Sequence, residues 1–267
     1  MIEFKYIENK EIASKVASFR TSSNKLFSNF FGLTNHRYEL GMTQNSMIIR
    51  KKESSFYRLF YLTKNEVELV DVLAGINDGE YVVNIPTKTP IDGGGFFLNE
   101  CGFELIGEYS RFYNRSIGEA FNKLSKLSEG IEIVENCELA QYALACDQPQ
   151  IMDLLRENFS VYTDHLPEDV ELTEMIEKKH VLINRYDGNV CGVEIFTPTS
   201  QVCYGNVWID TKGLGVFLSL EVYRYLISNN IKVMNFWVNN ANKKVIKYHK
   251  MLGSVPDGLI DYSFLKK

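Results

Sequence analysis

With 267 residues, 45% of them hydrophobic and 24% charged, the chain has the balance of an ordinary soluble globular protein and enough mass for a sizeable core in two domains or one large one. A net charge of −5 with no Lys/Arg run to offset it argues against a nucleic-acid binder, no apolar run reaches the length of a membrane span, and the opening MIEFKYIENK lacks the apolar core of a signal peptide. The five cysteines (Cys101, Cys137, Cys146, Cys191, Cys203) are scattered without a CxxC pair, which favours reduced thiols in a cytoplasm over disulfides or a metal site.

In chain order, periodicity predicts an amphipathic helix over Asn9–Arg20, strands at Ser46–Arg50 and Phe56–Leu62, a helix near Glu66–Gly75 and a strand at Glu80–Ile85. A proline-bearing turn over Ile85–Pro90 leads to Asp92-Gly93-Gly94-Gly95, which reads as a hinge rather than a phosphate loop because no strand directly precedes it. Phe27, Phe30, Phe31, Tyr57, Phe60 and Tyr61 read as core, and His36 and His180, without partners in sequence, as structural. Asn114–Gly130, with its helical patch Ile117–Leu127, reads as a structured linker, so the expected domains are 1–130 and 131–267. The second half then offers a strand in Glu135–Leu144, helices over Gln148–Phe159 and Pro167–Lys179, and a hairpin turning at Asp187-Gly188-Asn189. FFLNECGFELIGEYS (Phe96–Ser110) resembles KYHKMLGSVPDGLIDYS (Lys247–Ser263): each is a short helix stopped by glycine, then a strand closing on Tyr-Ser, which suggests a duplication.

Val202–Gly253 carries the most information. A strand over Val202–Asp210 runs into Thr211-Lys212-Gly213-Leu214-Gly215, then a long helix near Val216–Asn229, a strand at Val233–Val238 and the segment NNANKKVIKYHKMLG. A glycine turn between strand and helix gathers backbone N–H groups for a phosphate, although a lone Gly-x-Gly is often only a tight turn. Asn242, Val245 and His249 share one helical face by their spacing.

Strand, glycine turn, helix, strand and helix in this order resemble the acetyl-CoA-binding half of the GCN5-related N-acetyltransferases. Asp210-Thr211-Lys212-Gly213-Leu214-Gly215 is similar to that family's Gln/Arg-x-x-Gly-x-Gly/Ala pyrophosphate loop, with both glycines in place and Asp210 departing at the first position. Asn242, Val245, His249 and Gly253 match the spacing of its Asn-x-x-Ala/Ser-x-x-x-Tyr/His-x-x-x-Gly-Phe signature, with Val245 for the small residue and Ser254 for the phenylalanine. The likeness covers about Glu135–Lys267 well and the first half loosely. It implies an α/β (α+β) acyl-CoA N-acyltransferase fold, a mixed central sheet flanked by helices in two tandem copies. The first copy would be degenerate, packing on the second and walling its acceptor pocket.

The resemblance further implies acetyl-CoA as acyl donor, without a metal. It places the cofactor on Val207, Trp208, Ile209, Lys212, Gly213, Leu214 and Gly215, with Lys212 compensating for Asp210 and a bulge near Trp208–Asp210 exposing the N–H that polarises the thioester. Asn240 and Asn242 would bond the pantetheine or cap the last helix. His249, at the Tyr/His position, would be the general acid, with Tyr248 the neighbour to exclude; its plainer reading is a histidine making one helical hydrogen bond. Glu194 is a candidate base, although its alternation with Val193 and Ile195 reads as a solvated strand face. Asp164 and His165 could line the acceptor pocket, or be a helix-capping Asp beside an exposed His.

The expected activity is transfer of an acetyl group to a primary amine of a small molecule by direct attack. The alternative is a non-catalytic protein of this fold that binds CoA or a protein partner. No nucleic acid or membrane is expected as a partner, the location is expected to be cytoplasmic, and a homodimer is open as an assembly.

Overall fold

The computed structural model describes residues 2–23, 25–30, 32, 37–53, 55–91, 96–133 and 135–267. The expectations for Phe31, His36 and the Asp92–Gly95 hinge lie outside the described residues. The chain separates into two compact units, one of Met1–Glu108 with Ile260–Lys267 and the other of Tyr109–Leu259. The boundary expected at 130/131 therefore falls inside the second unit.

The first unit holds β1 (Lys5–Ile7), α1 (Asn9–Thr21), β2 (Phe27–Ser28), β3 (Tyr38–Met42), β4 (Ser46–Glu53), β5 (Phe56–Thr63), α2 (Glu66–Ala74), β6 (Tyr81–Thr87) and α3 (Phe97–Glu100). Ile12, Val16 and Phe19 form the buried stripe that docks α1. β3, β4 and β5 pair antiparallel, α2 crosses over, and β6 returns parallel to β5 along Tyr57–Leu59. β1, β2 and β3 escape the sequence reading because strands of two to five residues are too short to show a period.

The chain continues through β7 (Glu104–Asn114), whose end lies in the second unit, then α4 (Ile117–Glu129), β8 (Cys137–Tyr142), a 3₁₀ turn at Ala145–Asp147, α5 (Gln148–Asn158) and α6 (Asp169–Glu177). β9 (Val181–Tyr186), β10 (Asn189–Pro198), β11 (Val202–Asp210), α7 (Gly215–Ser228), β12 (Val233–Asn239), α8 (Lys243–Met251) and β13 (Val255–Lys266) follow. In the second unit β8 to β11 pair antiparallel in sequence, α7 crosses over, β12 lies parallel to β11, and Tyr109–Asn114 of β7 adds antiparallel to β12. In the first unit Ile260–Lys266 of β13 adds antiparallel to β6 in the same way.

Both units thus share one plan: antiparallel strands, crossover helix, parallel strand, short helix. The strand after that short helix joins the other unit each time, which is why Phe96–Ser110 and Lys247–Ser263 look alike. Asn114–Gly130 is no linker, because Ile117, Ala120 and Leu124 of α4 join Leu218, Val222 and Leu226 of α7 in one core. Each such fully buried aliphatic side chain contributes about 1.5–3 kcal/mol. α4, α7 and α8 cover one face of the second sheet, while α5 and α6 cover the other, against Val181, Ile183, Val193 and Ile195.

Candidate functional site

The second unit's site begins where β11 and β12 part. Their parallel pairing runs from Val202↔Val233 to Gly205↔Phe236 and no further. At the same point β11 carries an extra residue against β10, since Phe196 faces Gly205 and Ile195 faces Val207, leaving Asn206 as the bulge. The bulge expected near Trp208–Asp210 thus sits earlier, at Asn206, because it accompanies the parting of the strands.

A cavity of about 140 Å³ fills this gap. From the α7/α8 face it is reached by Glu194, Trp208, Val245 and His249, and from the α5/α6 face by Val207, Tyr109, Phe159 and Asp164. The cavity is therefore lined by side chains from both faces of the sheet at the point where the strands part.

Glu194 is not on a solvated face. It is 4% exposed, because α7 covers the side of β10 opposite to that covered by α5. Burial pushes its carboxyl up to about 8, while the hydroxyl of Ser219, which donates to Oε2 at 3.1 Å, pulls the other way. His249 reaches the cavity from α8 with its ring against Phe236, centroids 4.1 Å apart. Its Nδ1 is buried without a hydrogen-bond partner, and burial lowers its pKa to about 4. Burial thus disfavours the imidazolium that the general-acid reading of this position requires. Tyr248 stacks on Trp208 at 5.3 Å outside the cavity lining. Burial raises its pKa, and the nearby Ser219 hydroxyl opposes that rise without making a bond of normal geometry.

The loop Asp210–Gly215 enters α7 as its residues dictate. Gly213 has φ +78°, and a Cβ on Gly215 would stand 2.6 Å from the Trp208 ring, so the second glycine admits the tryptophan. Asp210 turns into its own loop: its Oδ2 accepts the N–H of Leu214 at 2.7 Å, and Oδ1 is buried without a partner. The Thr211 amide bonds Cys191, which leaves those of Lys212, Gly213 and Gly215 without a bond inside the protein among the described residues. Lys212 is exposed, with Nζ 4.9 Å from the Tyr186 ring centroid. The loop can thus hold phosphate on fewer amides than its spacing suggests, and one of its places is taken by a carboxylate.

Asn242 caps α8 by accepting the N–H of Val245 at 3.1 Å and also lines the cavity, whereas Asn240 accepts from Ser110 at 2.6 Å and does not line it. Ile209 packs into the α5/α6-side core and Leu214 is buried. Of the acceptor pair, Asp164 lines the cavity; His165, in a left-handed conformation at φ +47°, is exposed outside it. His180 packs at a tilt against Phe196, ring centroids 5.8 Å apart, and burial lowers its pKa.

Tyr109 is the participant that sequence reasoning missed. Its hydroxyl donates to Asp164 Oδ1 at 2.9 Å and meets Thr163 Oγ1 at 2.8 Å, and burial raises its pKa. The Tyr-Ser ending shared by the two repeat segments was the available signal.

In the first unit the equivalent gap is closed. β5 and β6 part after Leu59↔Val83, and β2 pairs there with Leu62 and Thr63. The buried Asn29 then donates to the carbonyls of Leu59 at 3.1 Å and Asn84 at 3.0 Å and accepts the Tyr61 N–H at 2.7 Å. The crossover helix α2 opens on Glu66 and Glu68 with Asn65 as its cap, which disfavours an anion. The chain itself fills the place where the second unit keeps a cavity.

No protein-family model and no curated protein matches the chain. Among solved structures it is similar over 99% of its length, and 98% of the other chain, to a tandem GNAT protein from the clavulanic acid biosynthesis pathway, at 9% identity and a TM-score of 0.54. A GCN5-related N-acetyltransferase from Sphaerobacter thermophilus matches over 89% of this chain and 82% of its own, at 9% identity and TM-score 0.54. A functionally unknown conserved protein from Staphylococcus epidermidis matches over 93% and 96%, at 11% identity and TM-score 0.51. With the shared plan of the two units, these likenesses show that the chain has the acyltransferase fold of the GCN5-related N-acetyltransferase superfamily, in its tandem form.

Proposed function

We propose that the second unit transfers an acyl group, acetyl in the first instance, from acyl-CoA to a primary amine of a small molecule. The observation that carries this reading is Glu194: a carboxyl pushed up to about 8 by burial, lining a cavity at the parted strands that draws side chains from both faces of the sheet. The residues fit a CoA thioester in part. The gap beside Val207 and Trp208 and the amides of Lys212, Gly213 and Gly215 would hold it, and Asp210 weakens the phosphate end. Bound there, CoA supplies a carbonyl activated as a thioester.

The reaction forms a C–N bond and breaks a C–S bond; starting from the ammonium, two protons leave the nitrogen, one before attack and one after it, and of these one ends on the sulfur and the other in solvent. Glu194 is the group whose protonation changes near working pH; ionised it takes the ammonium proton, and protonated it returns one to the leaving thiolate. Neutral His249 contributes a hydrogen bond and a dry wall rather than a proton.

One observation favours a second reading. The Asp210 carboxylate on the Leu214 amide suits a protein that binds CoA weakly, or binds a partner, without catalysis. Titration calorimetry with acetyl-CoA, followed by a free-thiol release assay over a panel of amines, tests both. Heat with thiol release supports the enzyme; heat without release for any amine leaves the binder; neither heat nor a thermal shift at millimolar acetyl-CoA sinks both.

A further inference from the structure

The α5/α6-side end of the cavity is built around one carboxylate. Asp164 is fixed from both oxygens: Tyr109 Oη donates to Oδ1 at 2.9 Å, the Ser160 N–H to Oδ2 at 2.8 Å, and Thr163 Oγ1 lies 3.4 Å from Oδ2. Two of these supports are themselves buried, Thr163 at 6% and Tyr109 at 8% exposed. Tyr109 and Ser160 each donate to one oxygen and Thr163 lies at the edge of bonding distance from Oδ2, which leaves lone-pair capacity on Oδ1, on the Tyr109 side, for a ligand. The carboxylate is thus oriented before any ligand arrives.

The charge of the lining points one way. Asp164 and Glu194 are its acidic groups, of which Glu194 is held largely protonated by burial, no Lys or Arg lines it among the described residues, and burial disfavours the charged form of His249. An acceptor bearing a carboxylate or phosphate would bring its charge into this cavity with no counter-ion, at a desolvation cost nothing here offsets. An acceptor bearing a second ammonium group would find Asp164, with Phe159 and Tyr109 in the same lining.

We infer that the acceptor is a dicationic or polycationic aliphatic amine, its distal ammonium held by Asp164 while its reacting nitrogen lies toward Glu194. This rests on the acyl-transfer reading of the cavity and narrows the acceptor from amines in general to diamines and polyamines. Tyr109 is a positioning residue, acting through Asp164.

Calorimetry without any acyl donor tests the cation site apart from catalysis. Putrescine and spermidine should bind the full-length protein, glutamate and glucosamine 6-phosphate should give no heat, and Asp164→Asn should weaken diamine binding by about tenfold or more, as loss of one ion pair implies. Tyr109→Phe keeps the carboxylate and should weaken binding less, and diamine affinity should fall as salt rises. Absence of diamine heat, unchanged affinity in folded Asp164→Asn, or tighter binding of the anionic amines would overturn the inference. The two readings fail separately: thiol release with anionic amines alone keeps acyl transfer and removes the cation site. Asp164-dependent diamine binding with no thiol release for any amine keeps the site and removes the transfer.

Discussion

Ser219 Oγ, on the second turn of α7, donates a 3.1 Å hydrogen bond to Oε2 of Glu194, the one hydrogen-bond partner of this buried carboxyl among the described residues. One hydroxyl does not offset full burial, so the group keeps its proton well into the neutral range.

Glu194→Gln should therefore lower kcat by about a hundredfold or more, the range of a lost proton carrier, with a smaller change in KM. In the native protein kcat/KM should rise with pH through about 8, and the variant's profile should lose that limb. A stability effect follows with a definite sign. Glu194 holds its proton more tightly folded than unfolded, so its contribution is complete below 4.5 and is lost as pH rises toward 8. The glutamine variant should gain Tm relative to the native protein between pH 5 and pH 8.

His249 behaves in the opposite sense. Its folded pKa of about 4 lies below the ordinary 6.5, so its stabilising contribution is present above 6.5 and is lost as pH falls through 4. His249→Gln, neutral at every pH, should unfold less readily than the native protein in acid. As a neutral donor it should keep kcat within about tenfold, the scale of one altered hydrogen bond. A drop comparable to that of Glu194→Gln would return the proton to the imidazole.

Asp210→Asn tests the resident carboxylate in the phosphate loop. Removing its charge should tighten CoA binding by about tenfold, read by calorimetry, because an anion near a helix start competes with phosphate there. The substitution should cost about 0.3–1 kcal/mol of stability, because a carboxylate near the start of α7 is favoured there over a neutral amide. Unchanged CoA affinity would mean that the ligand's phosphates do not approach this loop.

A chain cut after Leu259 removes the strand that pairs with β6, along with the buried Tyr262, Phe264 and Leu265. The first unit should then lose its cooperative unfolding transition. A chain begun at residue 131 should fail as well, since β7 and α4 belong to the second unit. A folded 131–267 fragment with a sharp thermal transition would contradict the observed assignment of these elements.

The run from β11 to α8 was legible because an apolar strand, a glycine turn and a long amphipathic helix each leave a strong local mark, and the observed bounds fall within a residue or two of the expected ones. Glu194 was misread for a physical reason. Alternation with Val193 and Ile195 says only that it faces the other side of β10; it does not say that α7 covers that side too. The unit boundary differs from the expected one because a strand whose two ends belong to different units keeps the same alternation throughout, so β7 looks like one element of the first half. Asp164 was visible as an acidic residue in a loop, yet its partner Tyr109 is 55 positions away, and no local pattern links them.

The exchange of closing strands also has a consequence for synthesis. On the ribosome, β6 emerges long before its partner in β13, after the whole of the second unit. At about 5–20 residues per second the first sheet waits roughly ten to thirty seconds with an open edge of unpaired main-chain groups. During that interval the nascent chain is a template for wrong strand pairing, so its yield in a cell should depend on translation speed and on chaperones that shield β6 more than on the stability of the finished fold.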